Sequence, residues 1–120
     1  MSYNFFLCDP VTKEPLRVEN KHEISGGVYR VGGDDILWLN ITTNYAPLFM
    51  RAFHNDLGVK RIIGKTGAES IPILQDAISN LGDTTDPDYW EPTDGNAKKA
   101  LYGLLAFAQL RPDGVWDCDY

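Results

Sequence analysis

The chain has 120 residues, a formal net charge of −6, 43% apolar residues and 23% charged residues. That length suits one domain spanning 1–120 and leaves no room for a second, and the composition is that of a folded globular protein rather than a disordered one. The acidic balance argues against direct docking on the phosphate backbone of nucleic acid, which needs clustered Lys and Arg.

In chain order, Tyr3–Cys8 is an aromatic and apolar run halted by the turn pair Asp9–Pro10, which predicts a first strand. Residues 9–14 read as a hairpin loop, and 15–19 alternate apolar and charged side chains like a half-buried edge strand. Gly26–Gly27 opens a short run at 28–31 that closes at 32–35, and the apolar run 36–42 predicts a central strand. Short strands in this succession predict an antiparallel meander.

The period then becomes helical. Leu48, Phe49, Ala52 and Phe53 share one face, with Pro47 in the first turn, Asn44 as candidate cap and Gly58 as stop. Residues 59–63 fit a strand or a linker. Thr66 and Glu69 have capping-box spacing ahead of a helix lined by Leu74, Ala77, Ile78 and Leu81 and ended by Gly82. Pro72 makes Ser70 an equally good cap. After the acidic loop Asp83–Asp94, Thr93 caps a long helix whose stripe is Ala97, Ala100, Leu101, Leu104, Leu105 and Ala108, stopped by Arg111–Pro112. Residues 115–117 are a last strand or an acidic tail. Strands first and helices afterwards predict an α+β fold, a mainly antiparallel sheet of about four to five strands with three helices packed on one face.

The run 97–110 is interrupted by Lys98, Lys99 and Gly103 and is too short to span a bilayer, so no membrane association is expected. The start of the chain has neither the basic residues nor the apolar stretch of a secretion signal, so the expectation is a cytoplasmic protein with reduced thiols. Cys8 and Cys118 have no CxxC partner and can bridge only if the first and last strands are neighbours.

Two surfaces are candidate sites. Asp83, Asp86, Asp88, Glu91 and Asp94, with Trp90 among them, form an acidic loop suited to steering a partner protein with a basic surface. Alternatively, Lys65, Thr66 and Gly67 precede a helix whose free N–H groups suit phosphate, while Tyr45 or Trp90 offers a stacking ring and Asn96 lies at the next helix start. Together these would bind a small ligand of nucleotide or phosphate type, although the spacing is not that of the GxxxxGK[ST] loop.

No cofactor or metal is expected. Asp83, Asp86 and Asp88 lack the glycine and distal Glu of an EF-hand loop, and His22 and His54 are too scattered for a zinc triad. Catalysis also has little footing, since no G-x-S-x-G elbow is present and acids next to His22 and His54 in sequence are not a spatial dyad. A small hydrolase around His54 is the last alternative.

The stretches 38–45 (Trp38 to Tyr45), 66–72 (Thr66 to Pro72) and 95–105 (Gly95 to Leu105), with the ending 111–117 (Arg111 to Asp117), resemble a family of small accessory proteins of bacteriophages and prophages. The likeness covers nearly the whole chain and brings no catalytic residues with it. It implies a non-structural protein acting in the cytoplasm of an infected bacterium. With the acidic loop it yields the leading expectation, a non-enzymatic protein that binds and inhibits a host defence-related protein.

Overall fold

The computed structural model describes residues 2–22, 28–29 and 34–119. The elements are β1 (Ser2–Cys8), β2 (Arg17–His22), β3 (Val28–Tyr29), β4 (Asp34–Ile36), β5 (Trp38–Thr42), α1 (Ala46–Ala52), α2 (Gly67–Ser79), α3 (Asp94–Leu110) and β6 (Val115–Asp119). The fold is α+β, with an antiparallel sheet and three α-helices, as the sequence predicts. The glycine turns expected at 26–27 and 32–33, residues 30–31 and the side chain of His22 lie outside the described residues.

β1 buries Tyr3, Phe5 and Leu7 on one face and leaves Asn4 and Phe6 half-buried on the other, the alternation of a strand covered on one side. It pairs antiparallel with β5, Phe5 opposite Leu39, and on its other flank with β6, Leu7 opposite Trp116. The predicted meander is therefore incorrect. The main sheet runs β3-β5-β1-β6, while β2 and β4 form a separate ribbon. β2 carries Arg17, Glu19 and Lys21, whereas β5 and β6 bring Leu39, Ile41 and Trp116 to the side where β1 must bury its rings.

The ribbon leaves the sheet at three buried leucines whose backbones bond in a ring. Leu7 N–H donates to Leu37 (3.0 Å), Leu37 N–H to Leu16 (2.9 Å) and Leu16 N–H to Leu7 (2.8 Å). The preceding loop matches expectation: Asp9 Oδ1 accepts from the N–H groups of Val11 and Thr12, and Asp9 N–H donates to Glu14.

Helical boundaries differ from the reading at α1, at residues 59–63, read as a strand or linker, and at α2, which ends at Ser79 before Leu81 and Gly82. Thr42, not Asn44, caps the first helical segment, a 3-10 turn at Thr43–Tyr45 leading into α1. Gly58 does not stop α1. Phe53 ends it, His54 follows in the left-handed region at φ 52°, and Gly58 opens a second 3-10 helix, Gly58–Ile62. α2 uses the Thr66–Glu69 capping box in full, so Ser70 is free for another task. It is fully buried, donates to the Gly67 carbonyl and accepts from Trp116 Nε1 (2.8 Å), which pins β6 to α2.

α3 buries the whole predicted stripe, together with Gly103 and Phe107. The helices and the inner sheet face share one core around Phe5, Leu39, Phe49, Leu74, Leu104 and Trp116. α2 starts where α3 ends: Gly67 donates to the Gly114 carbonyl, and a Cβ there would lie 2.8 Å from Arg111 O, so only glycine permits the approach. Among the described residues no helix is long and apolar enough to cross a membrane.

The first and last strands are neighbours, yet both cysteines are free. Cys118 lies opposite Phe5 and packs toward the helices, whereas Cys8 pairs with Val115 and belongs to the other face.

Candidate functional site

The acidic loop is held in one conformation by residues outside it. Asn96, 2% exposed at the start of α3, uses its whole amide: Nδ2 donates to Asp88 O (3.1 Å) and Glu91 O (3.2 Å), and Oδ1 accepts from Asp86 N–H (3.1 Å). From the other side Asn44 Nδ2 donates to Trp90 O (3.0 Å), and the Tyr45 hydroxyl donates to Tyr89 O. Tyr45 is itself fully buried edge-on against Phe49, and burial pushes its phenol up to about 12, so it stays a donor at neutral pH. Gly95 lets the loop lie directly on α3, since its N–H reaches Thr84 O at 2.7 Å and a Cβ would meet Thr85 Cγ2 at 2.5 Å.

These ties present an aromatic pair. The rings of Tyr89 and Trp90 lie 4.6 Å apart at 35°, and Trp90 remains 47% exposed. A large ring left half in water on a fixed backbone is a preorganised contact surface.

The acids divide into two groups. Asp94 accepts from Arg51 Nη2 (2.5 Å) and from Gly82 N–H (2.9 Å), which together hold its carboxyl below the usual range, the Gly82 bond contributing most. Asp83 pairs with Lys98 Nζ at 2.6 Å. Both are tethers of the loop. Asp86 and Asp88 each bind one backbone N–H, that of Asp88 and of Trp90 respectively, through Oδ1. Among the described residues no ion pair engages Asp86, Asp88 or Glu91. Three carboxylates therefore stay uncompensated beside Trp90, and the expected five-acid surface narrows to those.

The alternative ligand set is not brought together. Lys65, Thr66 and Gly67 sit at the C-terminal end of α3, while Tyr45, Trp90 and Asn96 gather at its N-terminal end. From Asn96 to Ala108, which a Gly67 side chain would touch, the helix rises about 18 Å at about 1.5 Å per residue. The donors of the α2 start are also in use. Gly67 and Ala68 N–H bind Gly114 O and Pro112 O, Glu69 N–H binds Thr66 Oγ1, and Thr66 N–H binds Glu69 Oε1. Asn96 is likewise spent on the loop.

His54 is exposed, and its Nε2 lies 3.1 Å from Asn80 Nδ2, an amide rather than the carboxylate a hydrolase dyad requires. No cluster of metal-ligating side chains occurs among the described residues. Sequence reasoning missed Asn44 and Arg51 as supports of the loop, because both act across long sequence separations. Asn96 carried a usable signal: it lies four residues before Ala100 on the buried stripe, and a polar side chain there needs an internal partner.

No protein-family model, curated protein or solved structure matches the chain.

Proposed function

We propose that the protein is a non-enzymatic binding protein that docks on a basic protein surface through Tyr89–Trp90 and the carboxylates of Asp86, Asp88 and Glu91. The observation that carries this is the half-exposed Trp90, held on a braced loop beside acids that no described cation neutralises. An apolar anchor inside a charged rim is how protein interfaces combine affinity with steering. The resemblance to phage and prophage accessory proteins supplies the setting: the bacterial cytoplasm, with a host defence-related protein as the inhibited target. The small-ligand alternative has less support, since its residues are divided between the two ends of α3.

The test is affinity capture from bacterial lysate at low and moderate salt with the wild type and the triple variant Asp86→Lys, Asp88→Lys, Glu91→Lys. Specific capture by the wild type that disappears in the variant and weakens with salt is the expected result. A captured partner retained equally by the variant would rule out this face as the docking surface.

A further inference from the structure

Given the docking role proposed above, on which it depends, we infer that the loop receives an arginine side chain of the partner, stacked on Trp90 and hydrogen-bonded by the neighbouring carboxylates. Three observations combine. The indole is half-exposed and carried on a ring pair rather than packed away. Asp88 Oδ1 is fixed on the backbone N–H of Trp90 itself (3.1 Å), which sets a carboxylate beside the Trp90 main chain and leaves Oδ2 for a further donor; Asp86 is oriented the same way by Asp88 N–H (2.8 Å). Nearby cations are committed elsewhere, Lys98 to Asp83 and Arg51 to Asp94.

A half-exposed indole on the same loop as unpaired carboxylates favours a flat cation. Guanidinium stacks on an aromatic plane, is weakly hydrated and offers several donors in a fixed fork, so it meets ring and carboxylate at once. The ammonium of lysine is a strongly hydrated point charge and gains less from the ring. Phosphate and acidic peptides are repelled by the same acids.

Fluorescein-labelled nona-arginine and nona-lysine peptides, equal in charge, distinguish the cases by anisotropy titration at about 0.1 M salt, where exposed charges are screened beyond about 10 Å. The wild type is expected to bind nona-arginine at least about fivefold more tightly than nona-lysine. Trp90→Ala should remove that preference and Trp90→Phe should keep part of it, because a benzene ring still stacks. Circular dichroism and the melting temperature confirm that each variant is folded. A preference that persists in Trp90→Ala overturns the inference. So does equal binding of both peptides that is abolished by Asp88→Lys with Glu91→Lys, though that result leaves the acidic docking face standing. Failure of both peptides to bind overturns the inference and the acidic docking face together.

Discussion

Replacing Asn96 tests the bracing of the loop most directly. Asn96→Ala deletes bonds to Asp86 N–H, Asp88 O and Glu91 O while leaving the helix around it intact. Each such bond has a net worth of about 1 kcal/mol, giving a loss of about 3 kcal/mol. Alanine is the better helix former and recovers about 0.5 kcal/mol. Part of the loop backbone can also rehydrate, so the expected loss is about 2 kcal/mol, or roughly 8 °C at about 4 °C per kcal/mol for a domain of this size. Asn96→Asp is the sharper control. It keeps an acceptor for Asp86 N–H but turns an oxygen toward two carbonyls, and the helix-dipole gain of about 0.3–1 kcal/mol is too small to offset that. Urea denaturation at pH 7, followed by far-ultraviolet circular dichroism, should rank wild type above Asn96→Ala, with Asn96→Asp no higher. If both variants stay within about 0.5 kcal/mol of wild type, typical of an ordinary surface change, the loop is not held as described.

Gly95→Ala should destabilise by about 1–3 kcal/mol despite the helix preference of alanine, because the new methyl meets Thr85 Cγ2 at 2.5 Å and Thr84 O at 2.6 Å; thermal melts would detect it. Trp116→Phe removes the buried Nε1–H bond to Ser70 and should cost about 1–3 kcal/mol in urea unfolding, more than Trp90→Phe. The Asp94 carboxyl is depressed by Gly82 N–H first and then by Arg51, so its contribution is present above its unfolded value of about 3.9 and is lost as pH falls through the lower folded value. Stability against pH should therefore show a shallower acid limb in Asp94→Asn than in wild type. Burial pushes the Cys118 thiol up to about 12, so alkylation of the native protein at pH 8 should be far slower than of the unfolded chain, which should yield two thiols without reductant.

Local signals carried the helices. α3 announced itself by a Thr93 cap, a regular apolar stripe and a proline stop, all within one turn of where they act. Most strands were also legible, but residues 34–36, read as a turn running into one strand over 36–42, form β4 in the separate ribbon, and the partners of the strands were not legible. Nothing near Phe5 in sequence encodes Trp116 as its neighbour, and the same alternation suits a meander as well as the observed order. The candidate site divided in the same way. Its acids were visible in sequence, but the neutralisation of Asp83 and Asp94 depends on Lys98 and Arg51, which only the folded chain brings near. At Asn44 the competing cap Thr42 prevailed, releasing the amide to hold Trp90.

The flanking of β1 by β6 has a consequence for biosynthesis. Residues 115–119 leave the ribosome long after residues 2–8, so one side of this ring-rich strand stays bare while the intervening chain is made. Closing a loop that long is entropically slow, and an open apolar edge is what other nascent chains adhere to. Holdase chaperones should therefore matter more to the yield of this small protein than its size suggests.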